Sequence, residues 1–117
     1  MADIEGIDPT AVPVDTICLD CEAIDGWWVH LRRCAQCAHI GCCDSSVSKH
    51  ASAHFVETGH PIVQSFEPDE PWFWDYARKL RFFGPKLAEP RHRPLDQPSP
   101  GPADRVPDNW RDLTNDR

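Results

Sequence analysis

Apolar residues are concentrated in the middle of this chain, and their spacing predicts short strands. Residues 27–33 are aromatic and β-branched with partial alternation, which favours a first strand. Residues 61–66 favour a second strand. Pro61 is compatible with this strand, because proline is tolerated at a strand's first position. Residues 72–76 favour a third strand, whereas the segment 77–83 is ambiguous.

Between the first two strands the pattern predicts one helix. Residues 44–46 are Asp-Ser-Ser, a typical N-cap cluster, and Gly59 is a typical end signal. Val47, Ala51 and Phe55 recur every four residues and predict a stripe that faces the core. We therefore expect an α+β fold, in which a small antiparallel sheet packs on one main helix.

The ends of the chain differ in composition from its middle. Residues 1–13 are short and acidic and contain two prolines, which predicts a flexible arm. Residues 84–117 carry seven of the twelve prolines and few apolar side chains, so they bury too little surface to offset their ordering entropy. We expect a folded domain over residues 14–83 and a disordered, proline-rich tail from residue 84.

The formal net charge of −7 argues against a dedicated nucleic-acid binder, which usually carries a basic surface. The sequence contains no long apolar stretch and no basic N-terminal export signal, so we expect no membrane association. A cytoplasmic monomer is the default expectation, and in that compartment cysteines serve as metal ligands more often than as disulfides.

The chemistry that dominates the sequence lies in its cysteines and histidines. Two Cys-x2-Cys pairs precede another cysteine and three histidines, which is enough for two tetrahedral zinc sites. A chain of this size buries a limited core, so bound metal would supply much of the folding free energy. The candidate ligands are Cys18, Cys21, Cys34, Cys37, Cys42, His50, His54 and His60.

Spacing alone leaves the division of these ligands open. His50 and His54 are four residues apart on one predicted helix face, so spacing would send both to the same zinc ion. His39 lies between the second cysteine pair and Cys42 and could compete as a ligand. A zinc-protease motif is excluded, because Ala51 stands where the catalytic glutamate would follow the first histidine.

This pattern resembles the UBP-type zinc finger of ubiquitin-specific proteases, which also occurs in a cytoplasmic histone deacetylase and in short bacterial proteins. The resemblance covers about Cys18 to Tyr76, most of the predicted ordered region. It is carried by the cysteine pairs, Trp28, Cys42, the His50-x3-His54 pair, the Thr58-Gly59-His60-Pro61 string and Trp74-x-Tyr76.

The resemblance implies an interleaved set of structural zinc ligands. Cys18, Cys21, Cys42 and His50 would hold one ion, and Cys34, Cys37, His54 and His60 would hold the other. Family members with a third zinc carry an extra cysteine where this chain has Asp75, so the implied count is two ions.

The resemblance also implies a binding function. In the eukaryotic family, a pocket walled by aromatic residues captures the free C-terminal Gly-Gly of ubiquitin, and an arginine after a Cys-Gly pair clamps the carboxylate. This chain departs from the family at the clamp, because it reads Cys42-Cys43-Asp44 there. Arg32 or Arg33 could supply the cation from the neighbouring strand. The candidate ligand-binding residues are Trp28, Arg32, Asp44, Trp74 and Tyr76.

We therefore expect a non-enzymatic, zinc-binding interaction module that recognises a peptide or protein terminus, with ubiquitin as only one candidate partner. Asp44 also has a simpler interpretation, as the N-cap of the helix. The alternative function is a redox- or zinc-responsive regulator that acts through Cys43 and the zinc thiolates. A nucleic-acid role ranks third.

Overall fold

The computed structural model describes residues 6–113, so residues 1–5 of the predicted arm and residues 114–117 of the predicted tail lie outside it. All of its regular elements are short, and the class is α+β, as the sequence predicts. They are α1 (Leu19–Ala23), β1 (Leu31–Cys34), β2 (Ile40–Cys42), α2 (His50–Thr58), β3 (Ile62–Ser65), β4 (Phe73–Asp75), β5 (Leu80–Phe82) and a 3-10 helix (Trp110–Leu113).

The five strands form one antiparallel sheet in the order β2-β1-β3-β4-β5. Directly paired residues of neighbouring strands share a face of the sheet. Arg32 is paired with Gly41 on one side and with Ser65 on the other, and Trp74 is paired with both Val63 and Arg81. Because Val63 and Ser65 are two residues apart on β3, all of these residues lie on one face.

Helix α2 packs against this same face, close to β2. A Cβ atom added to Gly41 would lie 2.7 Å from the backbone nitrogen of Ala51, so only glycine allows the helix to approach the strand this closely. Ala51 is the buried residue of α2. Of the stripe that the sequence predicts, Phe55 is half-buried, but Val47 lies before the helix and is 51% exposed.

The predicted start of α2 is wrong, although its predicted end at Gly59 is confirmed. Gly59 adopts the left-handed conformation with φ of 77°, and its N–H bonds to the carbonyl of Phe55. The N-cap residue is Lys49, not Asp44, and it makes no side-chain cap. Instead, the Cys42 sulfur accepts a hydrogen bond of 3.2 Å from the first helical N–H, that of His50.

The first predicted strand is displaced along the chain. Residues 27–30 precede β1, and Trp28 pairs outside the sheet with Gly101 in an isolated bridge. Ser46, from the predicted cap cluster, accepts a hydrogen bond of 2.8 Å from the N–H of Val29. This segment is therefore held by the loop before α2 and by the C-terminal region, which local alternation does not reveal.

The second face of the sheet is covered by the two segments that the sequence assigns to a flexible arm and a disordered tail. Ile7 from the arm and Leu87 from the tail are buried in one cluster with Ile62 and Phe73. The N–H of Ala88 bonds to the carbonyl of Pro9, which joins the two segments. The described part of both segments thus differs from expectation, because their few apolar residues fill a face of the sheet that residues 14–83 alone leave open.

Arg33 fixes the two segments to the sheet. Its side chain is 1% exposed, and its guanidinium group donates hydrogen bonds to the carbonyls of Ala11, Ala88 and Pro90. Burial lowers the pKa of Arg33 below its ordinary value. Further along the tail, Arg93 forms an ion pair of 2.7 Å with the buried carboxylate of Glu67.

Replacing this buried guanidinium group should loosen both segments at once. We expect Arg33→Met to lower the free energy of unfolding by roughly 3 kcal/mol, because three partly buried carbonyls lose their donors. Denaturant unfolding of the zinc-loaded protein measures this change. The matched control is Arg78→Met, because the Arg78 side chain is 77% exposed, and it should change stability by less than about 0.5 kcal/mol. Equal effects of the two variants would refute the anchoring role of Arg33.

Candidate metal centres and the pocket beside them

The first metal centre joins α1, β2 and α2. Cys18 is the N-cap residue of α1, and its sulfur accepts a hydrogen bond from the N–H of Cys21, so one turn presents two sulfur atoms together. Cys42 ends β2, and His50 begins α2. The Nδ1 atom of His50 lies 3.4, 3.3 and 3.5 Å from the sulfur atoms of Cys18, Cys21 and Cys42.

The electrostatics of this centre favour a divalent cation. Hydrogen bonds from Cys18 and Cys21 lower the pKa of Cys42, whereas hydrogen bonds with Cys18 and Cys42 raise the pKa of Cys21. A negative charge therefore collects on Cys42, while further ionisation is opposed by repulsion between neighbouring thiolates. A zinc ion supplies the positive charge that allows all three thiols to ionise together.

The second metal centre joins the end of β1 and the loop after it to both ends of the segment 54–60. The sulfur of Cys34 lies 3.6 Å from Nδ1 of His60, and the sulfur of Cys37 lies 3.3 Å from Nε2 of His54. Burial raises the pKa of Cys34 to about 11. The turn at Gly59 directs the chain back so that His60 faces the same centre as His54.

Both donor sets fit zinc. Within each set the ligand atoms lie within 4.8 Å of one another, which gives one Cys3His and one Cys2His2 group. Both are compositions of tetrahedral structural zinc sites. The protein therefore has two zinc-binding clusters, Cys18, Cys21, Cys42 and His50 in the first and Cys34, Cys37, His54 and His60 in the second.

The division of the histidines follows the resemblance and not the helical spacing. His50 and His54 lie on the same helix but in different clusters, so α2 links the two centres. His39, the possible competitor, belongs to neither cluster. Its Nε2 atom lies 2.7 Å from the carboxylate of Asp20, and its ring stacks on that of His54 with centroids 4.3 Å apart. His39 is therefore not a metal ligand itself, but its ring contact helps to orient the ligand His54.

A pocket of about 220 Å³ lies on the sheet face that carries α2. Its lining combines aromatic rings with charged groups of both signs. The residues are Arg32, Cys43, Asp44, Ser45, Val63, Trp72, Trp74, Tyr76 and Arg81. A second depression of about 360 Å³ lies between α1 and α2, but its wall includes His50 and His54, which belong to the metal clusters.

The structure brings four of the five predicted ligand-binding residues together. Arg32, Asp44, Trp74 and Tyr76 all line the pocket. Trp28 does not, because it is 2% exposed and packs in the core with Cys18, Cys21 and Phe66. Its large apolar ring shields the first metal cluster, which is the role of a core residue.

Trp72 and Arg81 also line the pocket, although neither is among the residues predicted from the sequence. Alternation places Trp72 on the same face as Trp74, while Phe73 is buried on the other. This alternation could therefore have identified Trp72 as a pocket residue. Arg81 lies on β5, in the segment whose structure the pattern left ambiguous, and only its pairing with Trp74 brings it to the pocket.

The charged groups of the pocket have distinct environments. The Nη1 atom of Arg32 donates to the carbonyl of Leu31 at 3.0 Å and to the hydroxyl of Ser65 at 3.4 Å. Asp44 is exposed at the pocket wall. Burial, followed by the charge of Asp44, raises the pKa of Tyr76, so the phenol stays protonated and can donate a hydrogen bond.

Cys43 also reaches the pocket, although its side chain is only 3% exposed. Burial opposes its ionisation, but a hydrogen bond from His30 and the charge of Arg32 outweigh burial and lower the pKa of the thiol to about 7. Its sulfur lies 3.6 Å from the hydroxyl of Ser46. Cys43 therefore differs from the cluster cysteines, since the groups that lower its pKa are His30, Arg32 and Ser46 and not other thiols.

Comparisons with known proteins agree with this geometry. The sequence model of the zinc finger in ubiquitin hydrolases and other proteins matches residues 18–84, more than half of the chain. A protein from Rhodopseudomonas palustris with a solution NMR structure is 43% identical to this chain. That match covers 78% of this chain and 85% of the other, with a TM-score of 0.61.

Residues 6–113 contain no helix with the length and apolar character needed to cross a membrane.

The two clusters can be distinguished by cobalt substitution, because the intensity of sulfur-to-cobalt charge transfer follows the number of thiolate ligands. We expect His54→Ala to remove the second site and leave the spectrum of a three-thiolate centre, with metal content falling from two ions to about one. The matched control is His92→Ala, which should keep both ions because His92 is exposed and belongs to neither cluster. Loss of an ion from the control, or retention of both in His54→Ala, would contradict the ligand sets.

Proposed function

This chain belongs to the family of zinc fingers found in ubiquitin hydrolases and other proteins, and from that premise we propose that it is a non-enzymatic module that binds the C-terminus of a peptide or protein. The proposal rests on one observation, which is that the same pocket is lined by Arg32, Trp74 and Tyr76. None of the three belongs to a metal cluster. Metal binding and partner binding are therefore assigned to separate residues.

The metal clusters support a structural role for zinc. Four protein ligands complete a tetrahedral zinc site and leave no position for water or substrate, whereas catalytic zinc keeps one position open. We propose that Cys18, Cys21, Cys42 and His50 hold one ion and that Cys34, Cys37, His54 and His60 hold the other. The zinc ions then position the loops around the pocket and take no part in chemistry.

The pocket has the groups that recognition of a peptide terminus requires. A guanidinium group matches the geometry of a carboxylate and can bind it through two parallel hydrogen bonds. The flat rings of Trp74 and Tyr76 would restrict the space beside the carboxylate, which favours small residues at the end of the peptide. The Tyr76 hydroxyl remains protonated and can add a hydrogen bond to the ligand.

Asp44 would favour one orientation of the peptide in the pocket. A carboxylate at this wall repels the ligand's own carboxylate but can accept hydrogen bonds from peptide N–H groups. We propose that the terminal carboxylate lies near Arg32 and that the preceding amides face Asp44. The partner is thus a protein or peptide with a free C-terminus, and ubiquitin is one candidate among such partners. We expect the module to act as a monomer in the cytoplasm, where its thiols stay reduced.

The alternative is a redox-responsive regulator that acts through Cys43. Its low exposure of 3% counts against this role, because an oxidant must reach the sulfur through the pocket wall. A nucleic-acid partner is disfavoured by the net charge of −7. Terminus binding therefore remains the function that we favour.

The proposal is tested by titrating the zinc-loaded protein with two peptides that end in Gly-Gly, one with a free carboxylate and one with a C-terminal amide. We expect the free acid to bind at least about tenfold more tightly, because only the acid forms charge-assisted hydrogen bonds with arginine. Two-dimensional amide NMR spectra should show the shifts near Arg32, Trp74 and Tyr76.

A pair of tryptophan variants supplies the control. Trp74→Ala should abolish binding of the acid, whereas Trp110→Ala should leave it unchanged, because Trp110 lies outside the pocket. Zinc content and circular dichroism establish that both variants remain folded. If the unmodified protein binds neither peptide, the proposed function is refuted.

A further inference from the structure

We infer that residues 93–105, a segment that we call the strap, control how fast the first metal centre releases its metal ion, an inference that rests on the two zinc-ligand sets proposed above. The strap lies beyond residues 18–84, the segment that the family model matches. Most of its hydrogen bonds with other segments go to residues on either side of the first cysteine pair. The strap is therefore a support for this centre that lies outside the matched segment.

The strap holds the chain just before and just after the first cysteine pair. The Nε2 atom of Gln97 donates a hydrogen bond of 2.9 Å to the carbonyl of Thr16, and the Thr16 hydroxyl donates one of 3.1 Å to Oε1 of Gln97. Thr16 is two residues before Cys18, the first ligand of the centre. Arg105 forms an ion pair with Glu22, which directly follows the pair. The turn that presents two sulfur atoms is thus fixed at both of its ends.

The strap also closes the core beside the first centre. Trp28 is 2% exposed and packs in one cluster with the first cysteine pair. The backbones of Trp28 and Gly101 exchange two hydrogen bonds, of 2.8 and 2.9 Å. The Ser99 hydroxyl donates a third, of 2.6 Å, to the carbonyl of Val29. Moving the strap away would therefore free the tryptophan that shields the first centre.

The strap has a fixed shape of its own, although its composition is typical of disorder. Arg93 pairs with the buried carboxylate of Glu67 at 2.7 Å and donates a hydrogen bond of 2.8 Å to the carbonyl of Gln97. At the other side of the turn, a Cβ atom added to Gly101 would lie 2.7 Å from the carbonyl oxygen of Pro98. A turn this tight requires glycine, so the strap is held in one conformation against the first centre.

The two metal centres differ in their contact with the strap. Within residues 6–113, the strap makes no hydrogen bond or ion pair with a ligand of the second cluster or with α2. All three cysteines of the first cluster are buried, whereas Cys37 of the second is exposed. Each centre presents one histidine, His50 or His54, to the depression between α1 and α2, so the difference lies in the cysteines. Because local opening is easiest where fewest contacts must break, the first centre should be the slower to release metal.

The experiment follows the loss of metal from each centre separately, using the cadmium-loaded full chain and excess EDTA. The two centres differ in their number of thiolate ligands, so each ion gives its own cadmium NMR signal. In the unmodified protein, we expect the signal of the second centre to disappear first. Gln97→Ala should speed loss from the first centre about tenfold and leave the second unchanged, because contacts outside the ligand set contribute that much to metal retention.

A second strap variant and a matched control accompany this change. Gly101→Val should speed loss from the first centre further, because its side chain would clash with the carbonyl of Pro98. The control is Asp96→Ala, since Asp96 lies beside Gln97 in the strap but is exposed, and both of its rates should stay unchanged. Amide hydrogen exchange of Trp28 should increase in the two strap variants and not in the control.

The outcomes separate the strap from the ligand sets. Equal acceleration at both centres in Gln97→Ala, or rates equal to those of Asp96→Ala, would overturn the role of the strap. Gln97→Ala decides the matter even if Gly101→Val does not fold, since it removes two hydrogen bonds and adds no volume. If the unmodified protein gives two cadmium signals and only the strap variants fail, the ligand sets stand. If it does not bind two ions, the ligand sets fail and the strap's role fails with them.

Discussion

The fold depends on one short helix that supplies a ligand to each of two metal centres. His50 and His54 are separated by one turn of α2, yet the first faces Cys42 at the end of β2 and the second faces Cys37 in the loop after β1. A nine-residue helix is too short to be stable alone, so its position is set by these contacts and by packing at Gly41. Zinc binding thereby fixes the helix against the sheet at two points.

The pocket is a consequence of that arrangement. Cys42 is a cluster residue, and the next residues, Cys43, Asp44 and Ser45, form part of the pocket wall. The opposite wall comes from the sheet, where strand pairing brings Trp74 beside Arg81. The zinc-held loop and the sheet therefore meet at the pocket that we propose for recognition, so a structural metal would govern binding without touching a ligand.

The parts of this structure that depend on local chemistry are predictable from the sequence. The cysteine pairs, the predicted strands at residues 61–66 and 72–76, and the helix end at Gly59 all rest on short-range preferences, and the structure confirms each of them. The division of His50 and His54 did not follow from helical spacing, because it depends on which loops surround the helix. Only the resemblance to the family predicted it.

The features that sequence analysis missed depend on contacts between distant segments. The start of α2 is set by the sulfur of Cys42 and not by the nearby Asp44. Trp28 packs in the core because Gly101 and the first cysteine pair surround it. The proline-rich tail covers the sheet because Arg33 and Glu67 bind it, although its composition is typical of disorder.

One helix links two separate metal centres, and cadmium NMR of the cadmium-substituted protein can measure this link. Proton–cadmium correlations identify which side chains bind each ion. We predict that one cadmium signal correlates with Cys18, Cys21, Cys42 and His50, and that the other correlates with Cys34, Cys37, His54 and His60. Correlation of His50 and His54 with the same cadmium ion would contradict it.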